Sequence, residues 1–468
     1  MFKNFLASIT RNGISMAGTA IALASLILIV SLFFIQQLGY EGGPYLGILT
    51  FLILPALCVI GLLMIPVGAL LWRRRMHGVP GGEEMPILPV FDLNNPHTRR
   101  WLLIFTGITT INIVVLAGAT YKGVEEMESV EFCGLACHSV MEPEYTAHER
   151  SPHSRVACAD CHIGPGANWF VKSKLDGTWQ LIAVAFNLYP RPIPTPLHDL
   201  RPARETCEQC HWPTKFVGDR LVIKKHYAED ETNTELTTAL LLRVGGGDPD
   251  ESEGIHWHVD PSVTIRYRSD ESREDIYDVE FTDGDGKQTQ FSDRKAPEEG
   301  GVWRTMDCVD CHNRPTHIYK PAADEVDRVI SEGLVDRSLP FVRREGLRII
   351  DARYTSHEEA RAQISEQLAQ FYAENYPDIA EKDADKIAAA GKALGDAYSV
   401  NVFPGMNVWW DTYPNHIGHD QSPGCFRCHN RKMRSEDRKQ IPNDCDTCHV
   451  ILAEKEEHPQ ILSALSSE

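Results

Sequence analysis

The chain of 468 residues has little positive charge, with 46 Lys and Arg against 65 Asp and Glu. The first 121 residues hold 7 basic and 4 acidic residues, so the rest of the chain has 39 and 61, a net charge of -22. A surface of that sign excludes nucleic-acid binding, because the phosphate backbone requires cations. The simplest interpretation is a solvated acidic surface, and the alternative is a docking surface for basic partner proteins.

Long apolar runs are absent after residue 121. The three that precede it, at about 14–38, 45–72 and 101–121, contain no charged residue, and a helix needs roughly 20 apolar residues to cross a bilayer. We therefore predict three transmembrane helices, with kinks at Pro55 and Pro66 in the second. A cleaved signal peptide is the alternative for the first run, but its apolar region would be shorter.

The basic residues around these runs are unevenly distributed. Lys3 and Arg11 precede the first run, Arg73–Arg75 follow the second, Arg99 and Arg100 precede the third, and the connection between the first two runs has none. Since Lys and Arg are enriched in cytoplasmic loops, the amino terminus and the 73–100 loop are predicted to be cytoplasmic. Everything after Lys122 is then expected on the outer side of that membrane, which is the periplasmic side if the membrane is a bacterial inner membrane.

No pair of cysteines is left over for a disulfide framework. Twelve of the thirteen cysteines form six pairs, each followed directly by histidine. Five pairs have CxxCH spacing: Cys158, Cys161 and His162; Cys207, Cys210 and His211; Cys308, Cys311 and His312; Cys425, Cys428 and His429; Cys445, Cys448 and His449. The remaining pair, Cys133 and Cys137 with His138, has three residues between its thiols. The motifs are numbered in chain order, so this pair is the first motif and Cys445, Cys448 and His449 form the sixth. The remaining Cys58 lies in an apolar run, where a buried, unreactive thiol is expected.

The spacing of these motifs indicates porphyrin attachment. Two thiols about one helical turn apart can each bond one vinyl group of the same porphyrin, and the adjacent histidine can then bind the iron. A zinc knuckle or a local disulfide is the alternative for any single CxxC. Six such motifs predict six covalently bound c-type haems. Such haems are attached outside the cytoplasmic membrane, where the charge pattern independently places all six motifs.

An electron-transfer haem needs a second strong axial ligand, usually histidine or methionine. The region after residue 121 has eleven histidines outside the motifs, which exceeds the demand. The first candidates lie near motifs and are His148, His153, His317, His416 and His419. Further candidates are His226, His256 and His258, with Met141 for the first haem. For each of them an ordinary surface or core role is the alternative.

These features predict a mostly α and irregular multihaem protein, with three amino-terminal transmembrane helices and a haem-packed periplasmic part that has a small β-hairpin insertion. The predicted domains are 1–121 in the membrane, 122–217 with three haems, 218–303 as the β-rich insertion and 304–468 with three more haems. Strand-period alternation appears at 262–268 and 275–281. Helical periodicity or propensity appears at 322–334, 358–372 and 383–394.

One stretch resembles a known family. The sequence FCGLACH at 132–138, followed by EYTAHERSPHSRVACADCHIGPG at 144–166, resembles the NapC/NirT/NrfH family of membrane-anchored quinol dehydrogenases over roughly 115–215. The resemblance implies oxidation of menaquinol or ubiquinol beside the first haem, with electrons passing to periplasmic cytochromes or a reductase subunit. The larger plan resembles the inner-membrane multihaem cytochromes of metal-reducing bacteria.

The resemblance also suggests residues for the quinol site. Met141 corresponds to the family's methionine ligand, and Lys172, Lys174 and Asp176 fall where the family has a quinol-contacting lysine and acid. A carboxylate there could accept protons that the quinol loses, although simple surface charges are the alternative. The chain departs from the family in its three spans, its longer first motif, its shifted methionine and its β insertion with extra haems.

Three functions therefore compete. The first is a quinol:cytochrome oxidoreductase. The second is a terminal reductase of a small substrate such as nitrite, which needs one haem with an open axial site and is disfavoured by the surplus of histidine. The third is a haem-bearing membrane anchor for a larger respiratory complex.

Overall fold

The structure is a computed structural model that describes residues 12–37, 49, 53–76, 93–136, 138–197, 200–212, 215–216, 218–245 and 254–465. Several predictions concern residues outside these ranges. They are Cys137 of the first motif, residues 45–48 at the start of the predicted second span, and the segments 1–11 and 77–92, whose charges were used to predict the orientation in the membrane. The chain divides into two compact units, Met1–Cys137 and His138–Glu468.

The first unit contains three helices long and apolar enough to cross a membrane: α1 (Gly13–Gln37), α2 (Leu54–Met76) and α3 (Pro96–Met127). A short helix, α4 (Val130–Leu135), follows them. The third helix extends beyond the predicted span at both ends. Its start is fixed by Asn95, whose side chain accepts a hydrogen bond from the His97 amide, and by Pro96 in the first turn.

Small residues bring α1 and α2 close together. A Cβ atom on Gly61 would lie only 2.7 Å from the carbonyl oxygen of Gly18, so a larger side chain has no room there. The Ser15 hydroxyl donates a hydrogen bond to the Ile65 carbonyl oxygen at 2.9 Å. Close backbone approach and hydrogen bonds of this kind hold helices together in lipid. Cys58 is buried in this interface, as expected for an unreactive thiol.

The second unit is mostly helical. Its helices are α5 (His138–Glu149), α6 (Cys158–His162), α7 (Ala167–Ala185), α8 (Ala203–Cys207), α9 (Cys308–Cys311), α10 (Ala322–Ser331), α11 (Val342–Ile350), α12 (His357–Asn375), α13 (Pro377–Lys382), α14 (Ala384–Ser399) and α15 (Gln460–Leu465). Short 3₁₀ turns occur at Ile255–Val259, Pro404–Met406, Gly424–Arg427 and Cys445–Thr447.

Helices α10 to α14 enclose the largest apolar core. Three residues of α12 spaced four apart, Ile364, Leu368 and Tyr372, are fully buried and pack with Ile349 of α11 and Leu394 of α14. The three helices predicted between 322 and 394 are present with shifted ends, whereas α11 was not predicted. This part of the chain buries a core of its own, without a porphyrin.

The predicted small β-hairpin insertion is wrong in extent, because the second unit has two antiparallel sheets. One has the order β1 (Asp219–Tyr227), β2 (Glu235–Arg243) and β8 (His449–Glu456). The other has the order β6 (Val302–Thr305), β3 (Thr264–Ser269), β4 (Ile276–Thr282), β5 (Gln288–Asp293) and β7 (Met433–Arg434). Strands β7 and β8 come from the carboxy-terminal segment, so each sheet closes through a pairing distant in sequence.

Candidate haem-binding site

The motif cysteines sit on short helical turns. Helices α6 and α9 and the two 3₁₀ turns at 424–427 and 445–447 each coincide with a motif, and α8 ends at the first cysteine of another. At the fourth motif Asp307 caps the turn by accepting a hydrogen bond from the Cys308 amide at 2.6 Å. No described cysteine forms a disulfide. The described cysteines of the CxxCH motifs are therefore not joined in disulfides and lie about one turn apart, as porphyrin attachment requires.

Five motif histidines each lie opposite a histidine from another part of the chain. The distances between ring centroids are 6.2 Å for His162 and His317, 6.0 Å for His211 and His153, 6.4 Å for His312 and His256, 5.5 Å for His429 and His258, and 6.1 Å for His449 and His419. Two imidazoles that bind one metal ion from opposite sides, each through a bond of about 2 Å, have ring centres roughly 6 Å apart. The residues present thus fit a bis-histidine iron.

Most of these non-motif histidines are oriented by a main-chain carbonyl. The Nδ1 atom lies 3.1 Å from the Pro315 oxygen in His153, 2.7 Å from the Val244 oxygen in His256 and 2.7 Å from the Ile255 oxygen in His258. A proton on Nδ1 leaves Nε2 free to bind a metal, and ligand histidines are held in this way. Burial lowers the pKa of His162, His258 and His312, which favours the neutral form that ligation needs.

His317 has a different environment, because a carboxylate stands behind it. Its Nδ1 atom is 3.1 Å from the main-chain oxygen of Glu144 and 3.0 Å from the carboxylate Oε2 of the same residue. The buried Arg314 lies 3.9 Å from the other carboxylate oxygen and stacks 4.1 Å from the ring centroid of Tyr413. Although burial raises the pKa of Glu144, the bond with His317 and the charge of Arg314 lower it below its ordinary value. Glu144 is therefore an anion beside this histidine.

The zinc alternative requires further ligands beside each CxxC pair. A structural zinc site needs four Cys or His ligands around one point. Within the part of the chain that the structure describes, no group of three or more His, Cys, Asp or Glu side chains is arranged to hold a metal ion.

Helix α7 carries the three residues suggested for the quinol site. Its exposed side has an apolar stripe that recurs every three or four residues: Val171, Leu175, Trp179, Ile182 and Phe186. Lys172 and Asp176, one turn apart, lie along one edge of this stripe, and Lys174 lies along the other. The structure therefore brings Lys172 and Asp176 to one edge and separates them from Lys174.

The comparisons with known proteins agree with these motifs. Residues 95–191 match the N-terminal region of the NapC/NirT cytochrome c family. Over 456 residues the chain is 42% identical to cytochrome c-type protein ImcH of Geobacter sulfurreducens, a match that covers 96% of this chain and 89% of ImcH. The chain belongs to the NapC/NirT cytochrome c family. The resemblance seen in the sequence is thereby confirmed, and the protein is a membrane-anchored multihaem c-type cytochrome.

More distant relatives match only part of this NapC/NirT cytochrome. Cytochrome c-type protein TorC of Escherichia coli K12 is 32% identical over 92 residues, which are 18% of this chain and 23% of TorC. TorC of Escherichia coli O157:H7 gives the same values. No solved structure matches the chain.

Four predicted ligands of this NapC/NirT cytochrome have other partners. His148 lies 2.9 Å from the Val156 carbonyl oxygen, His416 lies 2.8 Å from a Glu274 carboxylate oxygen, His226 lies 3.5 Å from an Asp327 carboxylate oxygen, and Met141 packs against a hydrophobic cluster. The structure does not place any of these histidines beside a motif histidine among the described residues. The first motif stays a prediction, since Cys137 and the His138 side chain lie outside the description.

Sequence reasoning missed Glu144 and Arg314, which no spacing rule connects with His317. It also missed the apolar stripe of α7, which a count of helical periodicity along 171–186 would have found.

Proposed function

We propose that this cytochrome is a hexahaem quinol:cytochrome oxidoreductase that takes electrons from membrane menaquinol or ubiquinol and delivers them to periplasmic redox partners. The observation that carries the proposal is the set of five histidine pairs at the spacing of a six-coordinate iron. An iron with two protein ligands has no open position for a small substrate, so the pairs support electron transfer over a reductase. Bound haems would supply one-electron oxidation and reduction.

The pairs interlock in a way that supports a continuous electron path. His153 precedes the second motif but faces the third, and His317 follows the fourth motif but faces the second. His256 and His258 share one 3₁₀ turn and face the fourth and fifth motifs, respectively. His419 precedes the fifth motif and faces the sixth. The Arg204 amide of α8 donates a hydrogen bond at 3.4 Å to Asp307, the residue that caps α9, which brings the third and fourth motifs together. Successive haems would therefore be neighbours.

Helix α7 is the proposed quinol site. It begins five residues after His162, and its apolar stripe is typical of a helix that lies in the membrane interface. A quinol loses two protons as its two electrons leave, so a base must be in reach. Asp176 is the proposed proton acceptor. Lys172, whose Nζ is 5.3 Å from the Trp169 ring centroid, is the proposed contact to a quinol oxygen.

The location of the protein in a bacterial inner membrane is part of the same proposal. The three apolar helices, with Arg74 and Arg75 at the end of α2 and Arg99 and Arg100 at the start of α3, support an inner membrane with a cytoplasmic amino terminus. The haem motifs would then face the periplasm, where redox partners are found. The division into domains at 121, 217 and 303 also remains a proposal.

Reduction by a quinol tests the function. The purified haem-loaded protein in detergent is mixed with a reduced menaquinone analogue, and the visible absorption of reduced haem c is followed over time. Replacing Asp176 with Asn should slow this reduction by about 100-fold or more, since removing a general base costs that much. Reduction by dithionite should be unchanged.

The matched control is Asp378→Asn, which neutralises an exposed carboxylate on α13. A wild-type protein that dithionite reduces but the quinol analogue does not would refute the function. Equal slowing by both substitutions would refute the site.

A further inference from the structure

A basic cleft of about 430 Å³ lies in the second unit. Six of its lining residues are cations: Arg294, Lys295, Arg431, Lys432, Arg434 and Arg438. The remaining lining residue is Asp293, whose carboxylate already accepts a hydrogen bond from the Lys295 amide at 2.8 Å. The cleft therefore has the opposite sign to the region after residue 121 as a whole, whose net charge is -22.

These cations lack the partners that other basic residues have. Elsewhere in the unit Arg343 pairs with both Glu229 and Asp327, and Lys224 pairs with Asp420. No ion pair involves any of the six cleft cations in the part of the chain that the structure describes. Like charges held close together repel, so an anionic partner bound there would reduce their repulsion.

The fold brings the cations of the cleft together from separate segments, so the cleft is not a cluster of charges within one exposed loop. Its cations come from two segments more than 130 residues apart, which the pairing of β5 with β7 holds together through Ser292 and Arg434. Next to Arg434, Met433 is 1% exposed and anchors β7 in a core that includes Ile265 and Tyr267. A tight turn, closed by a hydrogen bond from the Arg438 amide to the Ser435 oxygen, fixes the far wall.

The position of the cleft relates it to the haems. Strand β7 begins four residues after His429, the histidine of the fifth motif, and the sixth motif follows at Cys445. In the interlocked order of histidine pairs, the fifth and sixth haems are the end of the path that starts near α7. The cleft thus flanks the end from which electrons would leave.

We propose that this cleft docks the electron acceptor, and that the acceptor is a redox protein with carboxylates around its own redox centre. The inference rests on the proposed function for the direction of electron flow. Complementary charge steers redox proteins together and sets their orientation. Each encounter moves one electron from the reduced chain to the oxidised partner, with no bond made or broken.

Two probes of opposite charge test the proposal. The full haem-loaded chain in detergent is reduced with dithionite, freed of reductant and mixed in a stopped-flow instrument with oxidised soluble cytochrome b5, which is acidic, or with a basic cytochrome c. At low ionic strength the double variant Lys295→Glu and Lys432→Glu should reduce cytochrome b5 about tenfold more slowly than the wild type. The difference should vanish near 1 M salt, and the basic probe should not be slowed.

The matched control is Lys382→Glu, an exposed lysine on α13 that should leave both rates unchanged. Equal rates for the double variant and the wild type with cytochrome b5 overturn the proposal. Loss of a haem or a shifted haem potential in the double variant also overturns it, because the cleft would then hold haem propionates. Inorganic phosphate that abolishes the cytochrome b5 preference at constant ionic strength would identify a small-anion site instead. Failure of quinol reduction alone would remove only the proposed function.

Discussion

The contact between Glu144 and His317 predicts that one haem differs from the others in potential. Among the described pairs His317 has a carboxylate behind it, at 3.0 Å, while His153, His256 and His258 donate to main-chain carbonyls. A negative charge on the far side of a ligand imidazole makes it a stronger electron donor, which stabilises the oxidised iron. Replacing Glu144 with Gln should therefore raise the midpoint potential of the haem held by His162 and His317.

The size of the shift follows from the charged contact of 3.0 Å between Oε2 of Glu144 and Nδ1 of His317, which Gln would make neutral. A hydrogen bond to a charged group contributes about 1.5–3 kcal/mol and a neutral one about 1 kcal/mol, so the change is about 0.5–2 kcal/mol. For a one-electron couple this corresponds to about 20–90 mV. Gln keeps an oxygen that can accept from Nδ1, so the ring should hold its orientation.

Potentiometric titration followed by visible and EPR spectroscopy measures the outcome. One component should move to a more positive potential and one low-spin EPR signal should change, while the remaining components stay where they are. The control is Glu142→Gln on the same helix, because Glu142 is exposed and lies 3.7 Å from His357, which faces none of the five motif histidines whose side chains the structure describes. Potentials unchanged within error, or a negative shift, would show that the carboxylate does not act on this haem.

Three further outcomes follow from the structure. His256→Ala and His258→Ala should each convert a different haem from low spin to high spin, which EPR of the two variants would show; the same haem affected twice would contradict the pairing. Burial raises the pKa of Glu325, but the hydrogen bond with Arg328 and the charges of Arg328, Arg150 and Lys320 together lower it below its ordinary 4.5. The contribution of this carboxylate to stability should therefore disappear as pH falls below about 4.5. Thermal melts of wild type and Glu325→Gln should then converge in acid, and parallel curves would count against the ion pair. Leu368→Ala should cost about 2–5 kcal/mol of unfolding free energy in urea melts, whereas the exposed Gln370→Ala should stay within about 0.5 kcal/mol.

The membrane helices and the haem motifs could be predicted because their rules are local. A bilayer demands a long apolar run, and thioether attachment demands two cysteines and a histidine within one turn. Periodicity within one segment, such as the spacing that buries Ile364 and Leu368, also allowed three helices to be predicted. These are the helices at 322–331, 357–375 and 384–399.

The partners in each histidine pair could not be predicted, because nearness along the chain is a poor guide to nearness in space. His317 lies five residues from His312, yet it faces His162. His256 and His258, distant from any motif in sequence, face motif histidines, whereas the buried His148 and His416 do not among the described residues.

The extent of the two sheets could not be predicted for the same reason. Strand β8 has no clear alternation, and it pairs with β2 more than 200 residues earlier, with His449 opposite Leu242. Only the completed fold brings such a segment to its partner edge, because the strand carries no periodic signal of its own.

The interlocked histidine pairs have a consequence for biogenesis. A porphyrin bonded to Cys158 and Cys161 and ligated by His317 would tie together two segments separated by about 150 residues, much as a long-range disulfide ties a secreted protein. The second haem could be attached early in export, yet its iron would wait for a ligand that emerges much later. Maturation and tertiary folding would then be one process, and a chain truncated before residue 317 would be left with an iron that lacks its second histidine.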